Sequence, residues 1–253
     1  ATDRIDQVEI VELSLDGNAF IAMTPDAPGG YRIDLTSIAD GAHTLQVRAS
    51  DRAGNQALAP SAPRTIEVDG TAPEIIVTGV ADGQLSGTPL SPEITVNDAH
   101  SVTTVILLDG VTFVSGSTVS AEGAHQLSVQ ASDAAGNASQ ANLGFTLDFT
   151  APTIAITEPA GTTAVGDEFI PLVAQTEPGI DVELLDQAQP VLRVSDTNGR
   201  VRFSAVPLIP GANTLRVRAV DRAGNIGAPA SVSVFRFAVT QAPVTAILQH
   251  PAS

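Results

Sequence analysis

The chain has 253 residues, 43% of them hydrophobic, with a formal net charge of −16 at pH 7 and no cysteine. A surface this acidic repels the phosphate backbone of nucleic acids and attracts cations, so we expect no nucleic-acid partner. No apolar run is long enough to span a bilayer, and the lack of cysteine excludes disulfide bonds.

Three copies of a five-residue sequence organise the chain. Each copy begins with Asp, has Ala-Gly at its third and fourth positions and ends with Asn, and the copies occupy residues 51–55, 133–137 and 221–225. Their first Asp residues lie 82 and 88 positions apart, which is the length of a small β-sandwich. Gly supplies the positive φ of a tight hairpin, and Asp can accept backbone N–H groups ahead of it. We therefore predict three tandem modules.

Alternating apolar residues predict a strand before each of these turns. Leu45, Val47 and Ala49 share one face of residues 41–50, and the pattern recurs in two later segments, 123–132 and 211–220. Alternation with a period of two indicates a half-buried strand. Further short strands are predicted at 64–68, 75–77, 93–96, 103–108, 143–147, 154–156, 232–237 and 244–247. Residues 30–35 resemble residues 199–204 and predict an additional hairpin in the first and third repeats that the second lacks. No segment has a convincing helical period.

A second repeated sequence follows each hairpin. Asp-x-Thr-Ala-Pro occupies residues 69–73 and 148–152, and the third copy, 239–243, has Val239 in place of the acid. Pro ends the preceding strand and stiffens the connection. The resulting units are module 1 (1–70), module 2 (71–150) and module 3 (151–241). We predict an all-β fold class: three tandem immunoglobulin-like β-sandwich modules in an extended rod.

The two ends of the chain differ from a whole module. If Asp3 corresponds to Asp98, module 1 lacks its first two strands, and residues 242–253 have the pattern of the first strand of a further module. One interpretation is a fragment of a longer array. The other is head-to-tail assembly, in which the C-terminal strand of one copy fills a groove in module 1 of the next copy.

The combined pattern resembles bacterial immunoglobulin-like tandem repeats. The sequence Gly-x-[His/Asn]-x-Leu-x-Val-x-Ala-x-Asp-x-Ala-Gly-Asn, followed by Asp-x-Thr-Ala-Pro, is similar to the stalk modules of large secreted and surface adhesins. The resemblance covers nearly the whole chain. It implies an extracellular location on a bacterial cell surface and, often, calcium at the module junctions.

The expected sandwich topology also predicts where calcium would bind. The last hairpin turn of a module lies at the end where its first strand enters, so the junction acid of one module approaches two loops of the next. Ca²⁺ prefers six to eight oxygen ligands, which clustered Asp and Asn residues provide. The alternative is that each turn Asp only caps its own turn. The predicted ligands are Asp69, Asp98, Asp133 and Asn137 at the first junction, and Asp148, Asp221 and Asn225 at the second, with Glu177 a weaker candidate.

Two features of the ends allow internal comparison. Because Val239 replaces the junction acid, the third junction should bind calcium poorly or not at all. Asp3, Asp51 and Asn55 could form half a site, which only a preceding module would complete.

The histidines do not predict a metal site or a catalytic centre. None of the four pairs at metal-ligand spacing, so zinc has little support. Asn213 occupies the repeat position of His43 and His125, which favours hydrogen bonding over catalysis. No nucleophile elbow, phosphate loop or triad is found, and acids repeated in every module are typical of structure. We predict no enzymatic activity.

Three functions are compatible with this pattern. The first is a structural stalk of a bacterial cell-surface adhesin, made rigid by calcium, which projects a glycan-binding or protein-binding domain encoded elsewhere. The second is an extracellular filament or sheath subunit, whose partners are other copies of itself. The third is an accessory carbohydrate-binding region of a secreted enzyme, for which aromatic residues are few, at 4%. In the stalk interpretation, each module has the neighbouring modules of the same chain as its partners.

Overall fold

Every regular element of the computed structural model is a β-strand, as the sequence predicts. The structure describes residues 8–27, 29–187 and 191–238. Within these ranges no helix has the length and hydropathy of a bilayer span. The all-β fold class is therefore confirmed.

The strands follow the predicted alternation closely. In module 1 they are β1 (Val8–Leu15), β2 (Ile21–Ala22), β3 (Thr24–Asp26), β4 (Gly30–Arg32), β5 (Gly41–Asp51) and β6 (Gln56–Val68). In module 2 they are β7 (Glu74–Thr78), β8 (Gln84–Ser86), β9 (Glu93–Asn97), β10 (Val102–Leu108), β11 (Val111–Thr112), β12 (Gly123–Asp133) and β13 (Ala138–Leu147). In module 3 they are β14 (Ala155–Glu158), β15 (Thr163–Val165), β16 (Phe169–Gln175), β17 (Asp181–Leu184), β18 (Val191–Val194), β19 (Arg200–Pro207), β20 (Gly211–Val220) and β21 (Ala230–Arg236).

Module 3 is a two-sheet sandwich with immunoglobulin-like topology. One sheet has the order β14-β16-β19, and the other has the order β15-β21-β20-β17-β18. The entering chain divides between the sheets, because β14 pairs antiparallel with β16 whereas β15 pairs parallel with β21. The core between the sheets consists of aliphatic residues and one Phe, including Leu172, Val182, Phe203, Val217 and Val234. Branched aliphatic packing thus replaces the disulfide and Trp of antibody domains.

The same strand arrangement recurs in module 2. Its β8 pairs parallel with β13, as β15 does with β21, and β10 forms a hairpin with β11. Leu127, Val129 and Ala131 on β12 are buried, as the alternation predicts.

Module 1 has a four-stranded sheet with the order β2-β1-β5-β6 and a separate β3–β4 hairpin. Val11 and Leu13 of β1, which is a strand of this sheet, are buried. Leu45, Val47 and Ala49 of β5 are only half-buried, in contrast to their equivalents on β12 and β20. The same sequence pattern therefore leaves an incompletely covered face in module 1.

The described residues form two compact units. The first takes those within 1–77, 94–113 and 128–142, and the second takes those within 78–93, 114–127 and 143–253. The first unit contains the loops around Asp69, and the second contains the loops around Asp148. The module boundaries near 70 and 150 stay a prediction.

Three Asp residues mark equivalent hairpins in the modules. Asp16, Asp109 and Asp186 have φ values of 55°, 53° and 63°, a left-handed conformation that Asp tolerates better than most residues. They follow β1, β10 and β17, each of which forms a hairpin with the next strand. The three positions are therefore structurally equivalent.

Candidate functional site

The three repeated turns have one geometry, in which the Asp side chain caps its own turn. The Asp133 Oδ1 atom accepts the backbone N–H groups of Gly136 at 2.7 Å and Asn137 at 2.9 Å, and the Asn137 side chain donates to Oδ2 at 2.8 Å. Asp51 and Asp221 accept the same bonds from Asn55 and Asn225. Turn capping thus accounts for the Asp, Gly and Asn of the repeat.

Hydrogen bonding keeps two of these carboxyl groups ionised. The pKa of Asp51 is lowered mainly because the side chain and backbone of Asn55 donate to it. Burial of Asp133 works against ionisation, but the bonds from Asn137 and Gly136 outweigh it and lower the pKa of this group as well.

The turn Asn also forms a bond to the preceding module. We call residues 69–72, with the loops 98–100 and 133–137, the first junction; residues 148–151, with the loop 221–225, are the second junction. The Asn137 amide donates to the backbone oxygen of Asp69 at 3.0 Å, and Asn225 donates to that of Asp148 at 2.6 Å. Asn137 and Asn225 therefore act here as N–H donors that connect each turn to the chain entering its module.

Two acids that the sequence analysis missed fix the junction backbone. The Asp40 carboxylate accepts the Gly70 N–H at 2.7 Å and the Thr71 hydroxyl. Glu122 accepts the Phe149 N–H at 2.9 Å and the Thr150 hydroxyl at 2.7 Å. The available signal was an acid directly before the repeated Gly41 and Gly123, a position held by Pro210 in the third copy.

These bonds lower the pKa of both acids. The Thr71 hydroxyl, followed by the Gly70 N–H, lowers the pKa of Asp40. The Thr150 hydroxyl, followed by the Phe149 N–H, does the same for Glu122, which also lies within hydrogen-bonding reach of the Asp148 side chain. Each junction thus begins with a carboxylate held in its ionised form.

The first junction brings together the side chains of Asp69, Asp98 and His100. One ligand atom from each lies within 4.8 Å of the other two. The Nδ1 atom of His100 is 2.8 Å from Oδ2 of Asp69 and 3.8 Å from Oδ1 of Asp98. The side chains of Asp69 and Asp98 are only 8% and 2% exposed, whereas that of His100 is 36% exposed.

Backbone amides orient the two buried acids. The Thr71 N–H donates to Oδ1 of Asp69 at 3.1 Å, and the His100 N–H donates to Oδ1 of Asp98 at 2.7 Å. Oδ2 of Asp69 and Nδ1 of His100 are buried and form no hydrogen bond, even though they lie 2.8 Å apart. Neither atom therefore has its hydrogen-bonding capacity satisfied by the described residues.

A cavity of about 400 Å³ opens beside these atoms. Its lining includes the carboxylates of Asp40, Asp69, Glu74 and Asp98, and none of the described residues that line it is an Arg. Four acids around one cavity produce a negative potential that favours a cation and disfavours an anion.

The second junction has a different composition. The side-chain amide of Asn225 donates to the backbone oxygen of Asp148 and to Oδ2 of Asp221, so Asn225 connects the two acids. The backbone oxygen of Glu177 accepts the Ser195 hydroxyl at 2.6 Å. Among the described residues, Asp69, Asp98 and His100 form the single group of three potential metal ligands.

The remaining sequence-predicted positions have separate outcomes. Asp3 and Val239 lie outside the described residues. His43, His125 and Asn213 each bond to the backbone oxygen four residues earlier, that of Ala39, Ala121 or Ile209, which confirms their hydrogen-bonding role. The sequence carries no signal for His100, because its closest acidic partner, Asp69, belongs to the end of the preceding module and no second His lies at metal-ligand spacing.

Comparison with known proteins reveals resemblance among solved structures alone. No protein-family model and no curated protein matches the sequence. The fibronectin(III)-like modules of Clostridium thermocellum CbhA are 17% identical, with a TM-score of 0.42, over 71% of this chain and 99% of that one. A 1.5-MDa bacterial ice-binding adhesin is 17% identical, with a TM-score of 0.31, over 92% and 88%. The FN1–FN3 domains of chicken CNTN1 are 14% identical, with a TM-score of 0.36, over 92% and 90%.

Proposed function

We propose that this chain is a stalk or spacer region of a bacterial cell-surface adhesin, made rigid by Ca²⁺ at its module junctions. A stalk needs repeated modules and a defined connection between each pair. The observation that carries the proposal is the bond from Asn137 to the Asp69 backbone and its repetition from Asn225 to Asp148. A bond of this kind restricts the chain where one module enters the next.

The acids at the junctions support a role for a cation. At the first junction, Asp69 and Asp98 are buried around a cavity that Asp40 and Glu74 also line. Clustered carboxylates repel one another unless a cation neutralises them. Ca²⁺ bound there would connect the end of β6 to the loop after β9.

Calcium at the second junction is the weaker part of the proposal. Asp148 lies next to Glu122, so two carboxyl groups meet where β13 ends. Asp221 and Asn225 already bond to each other and to the Asp148 backbone. We expect any Ca²⁺ here to have fewer protein ligands and a Kd at the weak end of the range for extracellular modules, roughly 10⁻³ M.

Small-angle scattering with and without Ca²⁺ tests this proposal. We expect Ca²⁺ to increase the maximum dimension and reduce its spread, because stiffer junctions sample fewer bent states. The double variant Asp69→Asn with Asp148→Asn should lose this response. A control that removes two exposed acids elsewhere, Asp167→Asn with Asp181→Asn, should keep it. If the maximum dimension does not change with Ca²⁺, the role of calcium is contradicted. If the chain is compact instead of elongated, the stalk role is contradicted.

One observation favours a second candidate, a filament subunit joined head-to-tail. Leu45, Val47 and Ala49 of β5 are half-buried, so the module 1 sheet has room for a further apolar strand. Residues 242–253 have a strand-like sequence, although they lie outside the described residues. Concentration-dependent fibres that disappear when 242–253 are deleted would support this candidate, and a monomer at all concentrations would exclude it.

A further inference from the structure

The imidazole of His100 makes the first junction chemically different from an oxygen-only calcium site. Its Nδ1 atom is buried and lies 2.8 Å from the equally buried Oδ2 of Asp69, yet the two atoms share no hydrogen bond. Two buried polar atoms that share no hydrogen bond are both unsatisfied, which is costly in a buried position. A cation bound to both atoms would satisfy them together.

A carboxylate lies near the far side of the imidazole ring. The Nε2 atom lies 3.9 Å from Oε1 of Glu67, the nearest carboxylate on that side. A carboxylate beside one ring nitrogen stabilises the proton there and leaves the other nitrogen as a metal ligand. At 3.9 Å Glu67 forms no hydrogen bond with the ring, but it lies on the side from which an outer carboxylate orients many metal-binding histidines.

Two of the distances between the donor atoms bracket the value expected for a small divalent ion. Zn²⁺ binds His nitrogen and carboxylate oxygen at about 2.0–2.2 Å with tetrahedral geometry, which separates neighbouring ligand atoms by about 3.3 Å. The distances from Nδ1 of His100 are 2.8 Å to Asp69 and 3.8 Å to Asp98, on either side of that value. Ca²⁺ takes oxygen ligands at 2.3–2.6 Å and requires six to eight of them.

We propose that the first junction binds one Zn²⁺-class ion through Nδ1 of His100 and the carboxylates of Asp69 and Asp98. The site deepens the proposed function, because it makes a Zn²⁺-class ion the tighter ligand of the first junction and leaves Ca²⁺ to bind there only at the concentrations typical of extracellular modules, roughly 10⁻³ M. It does not depend on the stalk role. Two carboxylates and a neutral imidazole leave the donor set at −2, matched to a divalent cation. The ion connects the end of β6 to the loop after β9, and it leaves one coordination position open to water from the cavity.

Co²⁺ is the spectroscopic probe for this site, because tetrahedral Co²⁺ absorbs visible light much more strongly than octahedral Co²⁺. We expect the full chain, freed of metal, to bind one equivalent with visible absorption that Zn²⁺ abolishes and that equimolar Ca²⁺ does not. His100→Gln should weaken Zn²⁺ binding at least about 100-fold, and Glu67→Gln about 10-fold. Asp148→Asn, the matched control at the second junction, should leave Zn²⁺ binding unchanged.

The variant His100→Asp controls for the possibility that His100→Gln loses Zn²⁺ binding only because it misfolds. It supplies oxygen in place of nitrogen, so we expect it to lose Zn²⁺ affinity and gain Ca²⁺ affinity while the far-UV circular dichroism stays unchanged. Absent visible absorption at saturating Co²⁺, or Zn²⁺ affinity unchanged by His100→Gln, overturns the inference.

Scattering of the same samples separates this inference from the stalk proposal. An elongated shape without Zn²⁺ binding overturns only the zinc site. Tight Zn²⁺ binding by a collapsed chain overturns only the stalk.

Discussion

The two junctions share one hydrogen bond and differ in what surrounds it. In both, a turn Asn donates to the backbone oxygen of the preceding Asp, at 3.0 Å from Asn137 and 2.6 Å from Asn225. The first junction adds a buried cluster of Asp69, Asp98 and His100 beside an acidic cavity. The second adds close backbone packing, because the Gly87 N–H donates to the Ala223 oxygen at 3.1 Å.

This difference shows how a repeated sequence can encode a common connection while single positions determine its character. The turn and the Asp-x-Thr sequence recur, so the Asn bond recurs with them. Asp98 and His100 come from the loop after β9, whereas the corresponding loop after β16 has Glu177, whose backbone oxygen bonds to Ser195. An ion therefore suits the first junction better, and packing accounts for more of the second.

The largest effect should come from closing the space at Gly87. A Cβ atom there would lie 2.7 Å from the Ala223 oxygen and 2.8 Å from Oδ1 of Asn225, so the backbone must move. We expect Gly87→Ala to lower the free energy of unfolding of the second unit by about 2–3 kcal/mol in urea denaturation. Gly166→Ala, whose Cβ meets nothing within 4 Å, is the control. Equal costs for the two variants would argue against close packing at the second junction.

Removing the turn Asn should have the next largest effect. Asn137→Ala and Asn225→Ala each lose the bonds to their own Asp and to the preceding module, and we expect a cost of about 1–2 kcal/mol in unfolding free energy. Asn55 donates to Asp51 at 2.7 Å within the same turn. Asn55→Ala should therefore cost less, about 1 kcal/mol. If all three variants cost the same, the bond to the preceding module adds no stability.

Acid should weaken both junctions through Asp40 and Glu122. Their pKa values lie below the ordinary values of 3.8 and 4.5 because hydroxyl and amide groups donate to them. A lowered folded-state pKa gives stability that is present above the unfolded pKa and is lost as pH falls through the folded pKa. We expect stability to fall below about pH 4.5, and the fall to be shallower in Asp40→Asn with Glu122→Gln. Denaturation curves between pH 3 and 6, roughly the range of these groups, test this. An unchanged pH profile in the double variant would contradict it.

The smallest effect concerns His43, which distinguishes module 1 from module 3. The Asp16 carboxylate 2.7 Å away, with the Ala39 oxygen, raises the pKa of His43 above 6.5. A raised folded-state pKa gives stability that is fully present below the unfolded pKa and is lost as pH rises through the folded value. His43→Asn, which copies Asn213, should remove the decline in stability above about pH 6.5. A decline that persists in His43→Asn would assign it to another group.

The sequence predicted the strands and turns well because both depend on local chemistry. Alternation at Leu127, Val129 and Ala131 fixes one face of a strand, and the turn needs only Asp, Gly and Asn in order. The sequence also predicted that Asp69 and Asp98 lie together, because the sandwich topology places the loops that carry them at one end of the module. His100 was missed since its role depends on how its ring lies relative to Asp69, which is distant in sequence. The contrast between the junctions depends on close backbone approach at Gly87, which no pattern of residue types reveals.

Hydrogen–deuterium exchange of the full chain, with and without millimolar Ca²⁺, tests the central claim most directly. The central claim is that a cation orders the acidic first junction. The Ca²⁺ concentration is chosen to match the dissociation constants of extracellular calcium-binding modules, roughly 10⁻³ M. We expect the amides of residues 69–72 and 98–100 to exchange more slowly with the ion, while those of the first turn, 51–55, are unchanged. Equal slowing of exchange at the junction (69–72 and 98–100) and at the first turn (51–55), or no slowing at either, would contradict the account.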